Sequence, residues 1–143
     1  MSLNINFTYP IETFGDIDIQ YVDIEDTWHE NQVNTHLNIT HNLGEMASHV
    51  KPGIFTLYDV LWRPYRMYNI EDDTEKSYRF RIKASELEEI LEVCIEQLIT
   101  DKKRLLKYEP DNGWGTYTGL LEFCKKYLRG IKRYPNAKIE TSR

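Results

Sequence analysis

Three short segments of this chain hold residue types that can recognise or transform a ligand. Residues 38–44, Asn-Ile-Thr-His-Asn-Leu-Gly, put His41 and Asn42 where an alternating pattern gives way to a helical one. A helix start there offers unpaired N–H groups and partial positive charge, a seat for a phosphate or carboxylate beside the imidazole. Residues 61–64, Leu-Trp-Arg-Pro, set Arg63 beside an aromatic ring, and a guanidinium is well shaped to clamp such anions. Residues 112–117, Asn-Gly-Trp-Gly-Thr-Tyr, carry two glycines that let backbone approach a ligand, with Trp114 or Tyr117 to stack on a base or ring. Each segment also has a purely structural reading. Asn42 and Thr116 cap helices, His41 bonds to neighbouring backbone, Trp62 and Trp114 plug the core, and Arg63 pairs with an acid or caps carbonyls.

Other chemistries find less support. None of His29, His36, His41 and His49 forms an H-x-x-x-H or H-E-x-x-H pair, and His36 and His41 are an odd number apart, so on a strand they point to opposite faces. No metal site and no cofactor are expected; the Gly-Trp-Gly turn is not a P-loop, since no Gly-Lys-Ser/Thr ends it. Cys94 and Cys124 fall on apolar helix stripes and read as reduced core residues. No G-x-S-x-G is present, and no spacing singles out a carboxylate pair, so catalytic residues stay unassigned. If there is catalysis, a small hydrolase or transferase would use His41 as general acid/base and Arg63 to stabilise a developing anion.

The elements that must hold these segments follow from periodicity. Residues 16–24 alternate through Ile17, Ile19 and Tyr21, and residues 33–39 through Val33, Thr35, Leu37 and Ile39, which predicts two strands, with residues 3–8 adding a third. Leu43, Met46, Ala47 and Val50 share one helix face, with Asn42 and Glu45 spaced as a capping box. A second short helix is expected from about Ile54 to Leu61, its inner side formed by Ile54, Leu57, Tyr58 and Leu61, stopped by Pro64. Tyr78, Phe80 and Ile82 alternate as a short strand with a cationic outer face. Ser85 and Glu88 form another box, opening a long amphipathic helix to about Leu106. A further helix starts near Thr116, with Leu120, Leu121, Cys124, Leu128 and Ile131 inward, and residues 138–142 form a last edge strand. The predicted fold is a single α+β domain over 1–143: a small antiparallel sheet from the N-terminal third and two short later strands, packed against two long and two short helices.

Composition agrees with a folded chain. Hydrophobic residues make up 41% of the 143 and aromatics 13%, enough for one core and against disorder. No basic-then-apolar leader or membrane-length apolar run occurs, so the chain reads as soluble, cytoplasmic and without a membrane partner. It is expected to fold alone or as a homodimer or other small homo-oligomer. The net charge of −5 is unevenly spread: residues 1–50 contain no Lys or Arg, and all 18 basic residues follow. Such opposite halves attract within one fold or across a dimer. They also allow an acidic surface for a basic protein partner, with Asp16, Asp18 and Asp23 as contacts, or a basic pocket for an anion. No dense basic run marks duplex nucleic acid as a partner.

Four motifs together carry a resemblance. Residues 38–47 (Asn-Ile-Thr-His-Asn-Leu-Gly-Glu-Met-Ala), 61–64, 112–117 and the closing Ile-Glu-Thr-Ser-Arg of 139–143 resemble a group of short phage and bacterial proteins of unassigned function. The likeness spans roughly residues 33–143. It implies a small cytoplasmic protein of phage type and no particular mechanism. The three internal motifs, brought together by a compact fold, would line a pocket with His41, Asn42, Arg63, Asn112, Trp114 and Tyr117. The expected ligand is an anionic, nucleotide-like metabolite that the protein binds or sequesters.

Overall fold

The computed structural model describes residues 2–11, 20–25, 35–70 and 80–142. Its first strand, β1 (Ser2–Ile11), alternates Leu3, Ile5 and Phe7, all fully buried, with the half-buried Ser2, Asn4 and Asn6. That two-residue period lets one face enter the core while the other stays polar. The strand is longer than the expected 3–8 and is the centre of the sheet. Along one edge it pairs with β2 (Gln20–Asp23) and β3 (His36–Thr40); along the other it pairs with β5 (Lys138–Ser142), which in turn holds the two-residue β4 (Ile82–Lys83). Every pairing is antiparallel.

On the polar face, Asn38 donates to Asn4 Oδ1 at 2.6 Å and to Ser2 Oγ at 2.9 Å, and His36 Nδ1 lies 3.0 Å from Asn6 Oδ1. These cross-strand pairs add to a register already set by Leu37 and Ile39 entering the core. The expected strand over 16–24 is seen as β2 alone among the described residues, and Ile17 and Ile19 lie outside them. Val33 also lies outside; the 33–39 strand is realised as His36–Thr40. The last strand is not an edge. Ile139 stands opposite both Phe7 and Ile82, because a buried side chain there needs a neighbour on each side.

The helices cover the apolar face. Among the described residues they are α1 (Gly44–Ser48), α2 (Leu57–Trp62), α3 (Glu88–Thr100), α4 (Lys102–Leu105) and α5 (Tyr117–Arg133). Helix α5 packs on the sheet through Tyr127, whose ring meets Phe7 edge-on with centroids 5.9 Å apart, and α3 packs beside α5. Cys94 and Cys124 are free and buried between them. Burial pushes the Cys94 thiol up to about 12, and burial together with Cys94 raises Cys124 further. The architecture is α+β, as the periodicity predicts.

Several helix starts differ from expectation, each for a local reason. Asn42 does not cap: Thr40 does, its hydroxyl accepting from the Asn42 N–H at 3.3 Å, and a 3-10 turn over His41–Leu43 precedes α1. The second helix begins at Leu57 instead of Ile54. Thr56 and Asp59 form a complete capping box there, with Asp59 N donating to Thr56 Oγ1 at 3.1 Å and Thr56 N to Asp59 Oδ2 at 3.2 Å. Ile54 is consequently left 83% exposed. Ser85 and Glu88 make no box, since the Ala84 and Ser85 N–H groups already donate to Ala137 and Pro135 carbonyls at 2.8 and 2.9 Å. The long helix breaks at Asp101, whose carboxylate accepts from Gln97 and Arg104. Arg104 holds that carboxyl below its ordinary value. Thr116 caps α5 as predicted, accepting from Gly119 N at 2.9 Å. Tyr78 and Arg79 of the expected cationic strand lie outside the described residues.

Candidate functional site

The three internal motifs meet. Gly115 has φ +112, a conformation that side chains rarely adopt, and lies flat against the strand-to-helix junction; a Cβ built on it would stand 2.9 Å from both Leu43 Cγ and Thr40 Cγ2. The junction also touches α2. Gly44 faces the Tyr58 ring, and an added Cβ there would come within 3.2 Å of it. Residues 40–44, 58–63 and 115 therefore form one continuous patch.

Within the patch runs a ladder of rings. The Arg63 guanidinium lies over Tyr58 at 5.4 Å from the ring centroid, Tyr58 stacks on Trp62 at 5.0 Å, and Trp62 meets His41 edge-on at 6.2 Å. Trp62 is the buried rung; His41, Tyr58 and Arg63 are half-buried and reach the surface. Tyr58 and Trp62 stack because they stand four residues apart on α2. Arg63 follows directly as the C-terminal cap residue, which aims its planar cation at the Tyr58 face.

The remaining predicted residues are placed differently. Asn42 is exposed beside His41. Asn112 accepts the Trp114 N–H at 2.9 Å, closing a turn that holds Trp114 with 69% of its surface in solvent. Trp114 thus does not plug the core. Tyr117 does: it is 4% exposed, its hydroxyl donates to the Leu98 carbonyl at 2.6 Å, and it contributes no surface for stacking. Burial raises its phenol above the ordinary value.

Both helix starts prove poor anion seats. Helix α1 has only five residues, too short for a substantial dipole. The start of α5 already holds an anion, as the Glu109 carboxylate accepts the Tyr117 N–H at 2.8 Å. Arg63 and His41 are the basic side chains of the patch. The other described histidines are engaged elsewhere, His36 with Asn6 and His49 stacked on Tyr108 at 3.7 Å. Among the described residues no three His, Cys, Asp or Glu side chains gather as a metal site. Asp16 and Asp18 of the suggested acidic contact surface lie outside the described residues, and Asp23 is exposed at the end of β2.

Sequence reasoning omitted Tyr58 as a site residue, reading it only as part of an inner helix face. Its spacing from Trp62 was the available signal. Among the described residues no helix is long and apolar enough to cross a membrane. Comparison with protein-family models, curated proteins and solved structures finds no match to this chain.

Proposed function

We propose that this protein binds or sequesters a small anionic, ring-bearing molecule of nucleotide type on the patch where the three motifs meet. The observation that supports it is the Arg63–Tyr58–Trp62–His41 ladder, abutted by the Gly115 turn that carries an exposed Trp114. The half-buried Arg63 guanidinium and His41 ring bring basic groups to the patch for a phosphate, and Asn42 adds an exposed amide. Trp114 supplies the flat apolar surface on which a base stacks, an interaction that loses nothing when the base changes. A protein of this kind belongs with the short phage and bacterial proteins whose motifs it resembles, acting inside the cell on a soluble metabolite.

The test is a thermal-shift screen of the purified chain against mono- and dinucleotides, cyclic nucleotides, ADP-ribose and sugar phosphates. A ligand present at about 100 times its Kd adds about 2.7 kcal/mol to stability, a rise of several degrees. Selective stabilisation by one class, lost in Arg63→Ala, supports the reading. Uniformly flat melts across the panel overturn it.

A further inference from the structure

A second surface, separate from the motif patch, is a groove of about 430 Å³ between α3 and the segment entering α2. Its apolar walls are Phe55, Met67, Ile90 and Val93, and Glu86 and Glu89 stand on its rim. None of the predicted site residues lines it. The groove arises because α3 buries Leu91, Cys94, Ile95 and Leu98 toward the core, leaving Ile90 half-buried and Val93 39% exposed on the next strip of the helix. The late start of α2 leaves Phe55, in the loop before it, in the facing wall.

Two features define what fits. First, exposed apolar surface is present here: Val93 in the wall is 39% exposed, Ile54, next to Phe55 in the chain, is 83% exposed, and Tyr68 at 42% donates its hydroxyl to Glu86. Contiguous exposed apolar surface rimmed by polar groups marks interaction sites. Second, the rim charge has no ion-pair partner among the described residues. Glu92, one turn along, is balanced by Lys132 at 3.1 Å, whereas neither Glu86 nor Glu89 forms an ion pair with a described residue. A cation brought there meets two carboxylates three residues apart beside an apolar floor.

We infer that this groove docks a basic, apolar peptide segment of another protein. Leucine-type side chains fill the Phe55–Met67–Val93 floor, and a Lys or Arg side chain pairs with Glu86 and Glu89. A flexible methionine in the wall suits a surface that adapts to such side chains. The occupant is a chain segment because a groove of about 430 Å³ with four apolar wall residues and two carboxylates has room for several side chains. A small amine seated between the glutamates leaves most of the apolar wall uncovered.

The experiment is a ¹H–¹⁵N NMR titration of the whole protein with a synthetic leucine/lysine peptide, its leucine/glutamate counterpart, and cyclohexylamine. The lysine peptide is expected to shift resonances of residues 54–55, 67 and 86–93, reversibly and less at about 0.5 M salt, where screening shortens to a few ångströms. Glu86→Gln with Glu89→Gln is expected to weaken it about tenfold or more. Val93→Ser, in the groove wall and 39% exposed, is expected to weaken it several-fold. Equal binding by the glutamate peptide, shifts elsewhere, no shifts, or saturation by cyclohexylamine without peptide binding each overturn the inference.

Discussion

Gly115 and Leu43, 72 residues apart in the chain, stand so close that a single methyl group on Gly115 would lie 2.9 Å from Leu43 Cγ. This contact locks the Trp114 turn onto the junction bearing His41. Gly115→Ala must both strain a backbone at φ +112 and displace a buried leucine, and is expected to destabilise by about 2–4 kcal/mol. Gly113→Ala shares the positive φ but meets open space, so about 1 kcal/mol is expected. Gly53→Ala, with neither constraint, should be nearly neutral. Urea unfolding of the three variants checks the ranking, and equal effects at 113 and 115 would contradict the contact.

Much of the scaffold was legible because it obeys local rules. Leu3, Ile5 and Phe7 alternate, Leu91, Cys94 and Leu98 recur at helical spacing, and Thr116 stands where α5 begins. One failure comes from partners distant in sequence and another from a close competitor. Ser85 has the right chemistry for a cap, yet its helix start was already satisfied by carbonyls from residues 135 and 137. Asn42 lost the cap to Thr40, whose extended backbone ends β3 and points its hydroxyl forward. At the site, adjacency in the chain placed Arg63 by Trp62, but no pattern could say that Trp114 faces water while Tyr117 is buried. Both are aromatic residues of one motif, and it is the Tyr117 hydroxyl that turns inward, to the Leu98 carbonyl.

The Thr56–Asp59 capping box fixes where α2 starts and hence where Tyr58 and Trp62 point. Thr56→Ala is expected to cost about 1 kcal/mol, a fall of about 3 °C in Tm. Thr56→Ser, which keeps the acceptor oxygen, should restore most of it. Thermal melts of the pair distinguish lost capping from lost packing.

The Tyr127 hydroxyl is buried and has no hydrogen-bond partner among the described residues. Removing an unsatisfied buried donor relieves its desolvation penalty, so Tyr127→Phe is expected to be neutral or to stabilise by about 1 kcal/mol. Chemical denaturation measures this; a loss of more than about 1 kcal/mol would reveal a partner for the hydroxyl.

Stability should fall in alkali. Cys94 is raised from 9.0 to about 12 by burial, and Tyr68 from 10.0 to about 12 by burial and the Glu86 carboxylate. Both keep their protons in the folded chain after the unfolded chain has begun to lose them. Their contribution is complete below pH 9 and is lost as pH rises through the folded values near 12. Asp101, lowered from 3.8, acts oppositely, its contribution fading as pH falls below that value. Melting across this range, with Cys94→Ala expected to flatten the alkaline limb, checks the sign.

The most direct measurement is the fluorescence of Trp114 during titration with nucleotides, ADP-ribose and sugar phosphates, read as the difference between the native chain and Trp114→Phe. The expected result is saturable quenching by one ligand class, absent in Trp114→Phe and shifted about tenfold or more to higher concentration in Arg63→Ala. No saturable change with any of them, or a change indifferent to Arg63, would contradict a ligand site where the three motifs meet.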